Sequence, residues 1–156
     1  MMNSERDIIR LTERLRRLCS RREYFMTDIL KKAMTALEGN RDEAQKILDV
    51  LVSEKYVDDK RYAAAYAREK AMISGWGETK IRYMLSAKRI DRSIVDQALT
   101  EIDADKADSR LQKLLENKAK SLKEDPQMRL KLIRFVLGRG YKYDDVVKVI
   151  ASLKID

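Results

Sequence analysis

Apolar residues recur every three or four positions along the whole chain, which is the spacing that places them on one face of an α-helix. Polar and charged residues fill the positions between them, so each predicted helix has one polar, solvent-facing side and one apolar side. The stripes start at Ile8, Ile29, Ala44, Tyr62, Ile81, Ile94, Leu111, Met128 and Val146. We therefore predict an all-α chain of about nine helices, each roughly 10 to 18 residues long.

Small and polar residues mark the ends of these helices. Gly39 suits the position just after a helix C-terminus, and Asn40 with Glu43 resembles a capping box that opens the next helix. Asp58 is a predicted N-cap for the helix that carries Tyr62. Asp125-Pro126 is a predicted N-cap and first-turn pair for the helix that starts near Met128.

Part of the sequence repeats. Lys80–Ile102 aligns with Lys131–Leu153, and Ile47–Lys60 aligns with the first half of both. In each copy a turn residue is followed by a large apolar residue, and these pairs are Lys55-Tyr56, Arg89-Ile90 and Gly140-Tyr141. A fixed period of this kind is typical of repeat proteins.

We therefore predict three tandem three-helix repeats, at residues 1–57, 58–102 and 103–156. A unit of about 50 residues buries little surface alone, so neighbouring units must share contacts and the array is expected to be elongated and curved. The alternative is one compact bundle, because any amphipathic helix aligns to some degree with any other.

Composition excludes much chemistry. The chain of 156 residues has 5 Gly, 1 Pro, no His and 1 Cys, Cys19. Scarce Gly and Pro disfavour a β-sandwich or barrel. Without His there is no Ser-His-Asp or Cys-His pair, and one Cys permits no internal disulfide and few zinc sites. We predict no catalytic residue, no metal and no cofactor, and hence a protein that is not an enzyme.

Charge points to a polyanionic partner. The net charge is +8, from 34 Lys and Arg against 26 Asp and Glu, which suits nucleic acid or an acidic protein surface. No apolar run reaches the length of a membrane span, and Met1–Arg10 is charged where a signal peptide would be apolar. We expect a soluble, cytoplasmic monomer with no membrane contact.

The first helix carries a ridge of arginines opposite its apolar stripe. They are spaced at steps of 4, 4, 3 and 4, and are Arg6, Arg10, Arg14, Arg17 and Arg21. We predict that this arginine ridge faces solvent and that Arg10, Arg14 and Arg17 contact DNA or another polyanion. The alternative is a solvated face with local pairs such as Glu13 with Arg17.

Aromatic residues lie among basic residues in the middle of the chain. Tyr62, Tyr66 and Trp76 occur close to Lys60, Arg61, Arg68, Lys70, Lys80 and Arg82. Such a mixture can stack bases or anchor a protein interface. Tyr62 is expected in the core, whereas Trp76, between Gly75 and Gly77, is the better interface residue.

The same segment resembles the central signature of the bacterial regulatory protein RecX family. The matching residues run from Lys55 to Ala63 and continue with Tyr66, Arg68, Gly75-Trp76-Gly77 and Lys80-Ile81-Arg82. Arg139-Gly140-Tyr141 is similar to the turn of the family's last repeat. Lys55 and Arg89 replace glycines of the family pattern, so we expect their two turns to differ in backbone conformation.

The resemblance implies a regulator that binds the RecA recombinase or its filament on DNA, inhibits its ATPase and strand exchange, and acts in DNA repair and recombination. It implies partner contacts at Tyr66, Arg68, Trp76, Arg82 and Arg139, and Lys80 is added as a DNA contact. DNA itself is expected to be bound weakly or through the filament. The alternative is a free-standing DNA-binding protein with tandem helix-turn-helix-like units.

Overall fold

The computed structural model describes residues 4–153, and this part of the chain contains nine α-helices and no β-strand. The all-α prediction is therefore confirmed. The helices are α1 (Glu5–Arg21), α2 (Met26–Ala36), α3 (Arg41–Ser53), α4 (Asp59–Met72), α5 (Glu78–Ala87), α6 (Arg92–Leu99), α7 (Ala104–Ser121), α8 (Met128–Gly138) and α9 (Tyr143–Leu153).

The buried apolar residues form three separate clusters, one for each successive group of three helices. The first cluster runs from Leu11 to Val57, the second from Ala63 to Leu99 and the third from Leu111 to Ile150. Helix packing is concentrated inside these groups. We call α1–α3, α4–α6 and α7–α9 the first, second and third unit. Each unit has a small core, which is the organisation of a repeat array.

The solvent-accessible surface area shows that the three units do not form one compact bundle. The chain exposes 10414 Å², whereas a compact protein of this mass exposes about 8,100 Å². The excess of more than a quarter is what an extended row of small units requires. It agrees with the predicted tandem architecture and disagrees with a single compact bundle.

The repeat alignment needs one correction. α5 and α8 are the middle helices of their units, so Lys80–Ile102 and Lys131–Leu153 do correspond. Ile47–Lys60 contains the second half of α3, however, which is the last helix of the first unit. The middle helix of the first unit is α2. The alignment matched α3 in its place, because the apolar stripes of the two helices have the same period.

Two of the predicted helix ends are confirmed, whereas Gly39 lies one residue beyond the position predicted for it, which Glu38 occupies. Asn40 and Asp58 are N-caps whose side chains accept hydrogen bonds from the third residue beyond them. The prediction for Asp125-Pro126 is wrong, because α8 begins at Met128 with Gln127 as its N-cap. The Asp125 carboxylate instead accepts from the Gln127 amide at 2.8 Å and closes a turn before the helix.

The two turns that lack glycine keep the glycine conformation, contrary to expectation. The φ angles of Lys55 and Arg89 are 65° and 60°, in the left-handed region that Gly140 also occupies at 94°. The residue at the same place after α2, Glu38, has a φ of 56°. The left-handed turn is thus retained without glycine. It has a conformational cost, because Lys55 and Arg89 carry a Cβ atom that is crowded at positive φ.

Candidate partner and nucleic-acid surface

The second and third units meet through two turns. The turn Gly75–Gly77 precedes α5, and it packs against the turn that follows α8. The Gly77 amide donates to the Arg139 carbonyl at 2.8 Å, and the Thr79 amide donates to the Gly140 carbonyl at 3.0 Å. The positive start of one helix therefore faces the negative end of another, which stabilises both. We call this contact the second junction.

Glycine is required at this junction because the two backbones touch. A Cβ atom on Gly77 would lie 2.4 Å from the Gly140 oxygen, and a Cβ on Gly140 would lie 2.3 Å from the Cβ of Lys80. Neither position leaves room for a side chain. The glycines that the sequence singled out thus set how closely two units approach.

Arg139 is part of the same junction. Its Nη1 donates to the Ser74 carbonyl at 3.2 Å, and its guanidinium carbon lies 5.0 Å from the centroid of the Phe135 ring. The side chain is half-buried. Arg139 therefore links the second and third units, and its predicted contact with a partner stays a prediction.

Four aromatic rings form a continuous row across the first and second units, which we call the aromatic row. From Phe25 to Tyr62 to Tyr66 to Trp76 the ring centroids are separated by 5.2, 5.9 and 6.4 Å. All four are half-buried and pack against the second core cluster. Burial raises the pKa of Tyr62 and Tyr66 further above physiological pH, where both phenols are neutral.

Lysine ammonium groups lie over the aromatic row. The Nζ of Lys80 is 4.3 Å from the Trp76 ring centroid, and that of Lys70 is 4.9 Å from the same ring. Lys88 Nζ is 5.1 Å from Phe25 and 5.4 Å from Tyr66. None of the three forms an ion pair with a carboxylate of residues 4–153. The structure thus brings Tyr66, Trp76 and Lys80 together on one cationic surface.

The other two predicted contacts of the second unit lie off this surface or are neutralised. Arg68 is exposed, but it follows Tyr66 by two positions on α4, which is about 200° around the helix. Arg82 pairs with Asp96 at 2.6 Å and lies 3.8 Å from Glu78. Its charge is balanced within the unit, and both residues stay predictions as contacts.

The arginine ridge of α1 faces solvent, as predicted. All five of its residues are exposed, and none pairs with a carboxylate elsewhere in the described chain. Arg16, which lies off the ridge, pairs with Glu54 at 2.7 Å. The ridge therefore keeps its full charge for an external anion, and the contact of Arg10, Arg14 and Arg17 with such an anion remains a prediction.

The first and second units meet through polar contacts that the sequence did not predict. The Met26 amide donates to the Asp59 carboxylate at 2.7 Å, and the Thr27 hydroxyl donates to the Lys88 carbonyl at 2.6 Å. Arg61 forms a two-pronged ion pair with Glu23. We call this contact the first junction.

Among the described residues, Asp59 is the one charged residue that is buried, with 8% of its surface exposed. Burial raises the pKa of its carboxyl group, the neighbouring Asp58 adds to the rise, and the Met26 amide opposes it. The sequence contained the residue within the Asp58-Asp59 pair, but its partner lies 33 positions away. Phe25 and Lys88 were missed for the same reason.

Within residues 4–153, no helix combines the length and apolarity needed to cross a membrane. No group of three or more acidic or cysteine side chains in that stretch is placed to hold a metal ion.

Comparison with known structures reveals the same fold. A crystal structure of RecX from Lactobacillus salivarius superposes with a TM-score of 0.86 over 96% of this chain and 98% of that one, at 24% identity. A second crystal structure, of a regulatory protein RecX, gives a TM-score of 0.83 over 92% of this chain and 71% of that one, at 22% identity.

Comparison with known sequences gives the family. The profile described as RecX, second three-helix domain, matches residues 58–99. The regulatory protein RecX of Clostridium tetani is 33% identical over 113 residues, which are 70% of this chain and 51% of that protein. This chain thus spans about half the length of its clostridial relatives. That of Vibrio parahaemolyticus is 32% identical over 132 residues, covering 83% of this chain and 82% of that protein. Residues 4–153 form a nine-helix array, its middle unit matches the RecX profile, and the chain aligns with most of the Vibrio protein. The chain therefore belongs to the RecX family of regulatory proteins.

Proposed function

We propose that this chain binds the RecA recombinase or its filament on DNA and inhibits its ATPase and strand-exchange activity, without any catalysis of its own. The repeats are taken to divide at residues 57/58 and 102/103. The contacts proposed for the recombinase are Tyr66, Arg68, Trp76, Arg82 and Arg139, and those for DNA are Lys80, Arg10, Arg14 and Arg17.

The extended array supports a filament as the partner. Three small units in a row present more surface than a compact protein of the same mass. A filament repeats the same surface at regular intervals, so successive units can each make modest contacts that add through a high effective concentration.

The cationic aromatic row is the observation that carries the proposal. Lys70, Lys80 and Lys88 lie over four aromatic rings and have no carboxylate partner in the described chain. Aromatic anchors with unneutralised cations suit a filament that presents both protein surface and nucleic acid.

The test is a titration of single-strand-DNA-dependent ATPase of RecA from the same organism with this protein. The anisotropy of the same labelled DNA is measured in parallel without RecA. We expect inhibition at protein concentrations that leave the naked DNA unoccupied. No effect on ATPase, together with tight and sequence-selective duplex binding at physiological salt, would contradict the proposal and favour the free-standing DNA-binding protein.

A matched pair of triple variants locates the surface. Replacing Lys70, Lys80 and Lys88 by Gln removes three charges from the aromatic row, and we expect a loss of inhibitory potency of about tenfold or more. The control replaces three exposed lysines of the third unit by Gln, namely Lys106, Lys120 and Lys123. Equal losses in the two variants would show that only total charge matters.

The arginine ridge is tested separately, through the salt dependence of DNA binding. Changing Arg10, Arg14 and Arg17 to Gln removes three candidate phosphate contacts. The slope of log affinity for DNA against log salt concentration should then become shallower by about 2 to 2.7. An unchanged slope would assign the ridge to solvent.

A further inference from the structure

The two junctions of the array are built on the same plan but close to different degrees. In both, the start of one middle helix faces the turn after the next middle helix. At the second junction the facing residues are Gly77 and Gly140, whose backbones are in contact. At the first junction the equivalent positions are Phe25, the N-cap of α2, and Arg89, the residue after the C-cap of α5. Two large side chains thus stand where two glycines allow closure.

The result is an open groove between the first and second units. It has a volume of about 750 Å³ and is lined by Phe25, Leu30 and Met34 on one side and by Ala87 and Arg89 on the other. This volume lies within the range of pockets that hold ligands. The floor is apolar, because Phe25, Leu30 and Met34 are half-buried.

The rim of the groove is positively charged. Lys31, Arg41, Lys88 and Arg89 line it, and none of them forms an ion pair with a carboxylate of the described chain. Asp28 is the one acidic side chain in the lining, and it is neutralised by Lys32 at 2.9 Å. Four cations therefore surround an apolar floor with no internal counter-charge.

We propose that this groove binds an acidic protein segment in which Asp or Glu residues alternate with large apolar residues. The carboxylates of such a segment meet the four rim cations, and its apolar side chains cover the floor. The phosphates of a nucleic acid would satisfy the cations and a base would stack on Phe25, but Leu30 and Met34 would be left without an apolar partner. This site goes beyond the proposed function: it shares Phe25 and Lys88 with the aromatic row, but its occupant is a peptide and its test contains no recombinase.

The groove is tested by recording amide spectra of the ¹⁵N-labelled protein during titration with two short synthetic peptides. Both carry the same number of Glu residues, with Leu and Phe between them in one and Ser and Gly in the other. We expect the Leu/Phe peptide to bind about tenfold more tightly, since burying even one such side chain is worth that factor. The amides that shift should be those of Thr35, Gly39, Ala87 and Arg89.

Variants of the groove wall give the control. Ala87 is exposed at the end of α5, so Ala87→Asp adds a carboxylate to the wall without disturbing the core. We expect it to weaken peptide binding about tenfold through like-charge repulsion. Ala104→Asp, on an exposed alanine of the third unit, should have no effect. Arg89→Gln should weaken binding while leaving the turn conformation unchanged.

Three results would overturn the assignment. One is equal affinity for the two peptides, which would show that the floor takes no part. Another is a response confined to amides of the arginine ridge or the third unit. The last is a titration with oligothymidylate in which the groove amides move at lower ligand concentration than with either peptide, which would make the groove a nucleic acid site.

Discussion

Alanine substitution at four glycines separates the contact between the second and third units from the backbone strain of the turns. Gly140→Ala is the most severe change. Its φ of 94° costs a side chain about 1 to 2 kcal/mol. The new Cβ would meet Lys80 Cβ at 2.3 Å, so the turns must separate by about 1 Å to reach ordinary contact distance.

Separation breaks two hydrogen bonds. These run from the Gly77 and Thr79 amides to the Arg139 and Gly140 carbonyls, at 2.8 and 3.0 Å, and each is worth about 1 kcal/mol. The strain and the two lost hydrogen bonds add up, so Gly140→Ala should lower the free energy of unfolding by about 3 to 4 kcal/mol. That is a large fraction of the total stability of a small protein.

The other three glycines supply the controls. Gly77 has an ordinary φ of −84° but the same close contact, so Gly77→Ala isolates the clash and should cost about 2 kcal/mol. Gly39 has a φ of 90° and open space around it, so Gly39→Ala isolates the strain at about 1 to 2 kcal/mol. Gly138 lies in α8 with nothing within 4 Å, and Gly138→Ala should stabilise by about 0.5 to 1 kcal/mol.

The assay is urea unfolding followed by two probes. Trp76 is the only tryptophan of the chain and lies between Gly75 and Gly77, so its fluorescence reports the junction. Far-ultraviolet circular dichroism reports all the helices. Two results would refute the reasoning from close backbone contact. One is a Gly77→Ala variant that, like Gly138→Ala, does not lower the free energy of unfolding. The other is a Gly140→Ala variant that lowers it no more than Gly39→Ala does.

Three further predictions concern the first junction. Burial raises the pKa of Asp59 above its ordinary value, so the native state holds its proton more tightly than the unfolded state. Stability should therefore fall as pH rises through the Asp59 pKa, and Asp59→Asn, whose amide still accepts from Met26, should remove this pH dependence when unfolding is measured from pH 4 to pH 8. Arg89→Gly relieves a left-handed side chain and should raise the free energy of unfolding by about 0.5 to 1 kcal/mol, whereas a loss would show that the Arg89 side chain makes a compensating contact. Arg61→Lys loses the two-pronged contact with Glu23 and should cost about 1 kcal/mol in urea unfolding, with a smaller cost if Glu23 is first changed to Gln.

Much of the fold follows from local sequence. The apolar stripes place the helices, since a period of 3.6 residues is a property of the helix alone. Asn40 and Asp58 were recognisable as N-caps because a cap acts on amides only three positions away. Asp125 was misread for a related reason, because the same side chain chemistry also closes a turn, and the sequence does not say which of the two forms.

The candidate surface was only partly predictable. Tyr66, Trp76 and Lys80 lie within one short stretch and could be grouped from their spacing. Phe25 joins Tyr62 from a different unit, and Arg139 reaches Ser74 across 65 positions. Contacts of this range depend on how whole units dock, and a single sequence contains no local signal for that.

The separation of the core into three clusters sets the order in which the chain folds during synthesis. The first core is complete once Val57 has been made, and its helices pack on a timescale far shorter than translation. The second core is complete at Leu99, and the second junction must then wait for Gly140, 41 residues later, which takes about 2 to 8 seconds at usual rates of synthesis. During that interval the amides at the start of α5 are hydrogen-bonded to water, so the turn Gly75–Gly77 is the part of the nascent chain that stays open to chaperones and proteases after its own unit has folded.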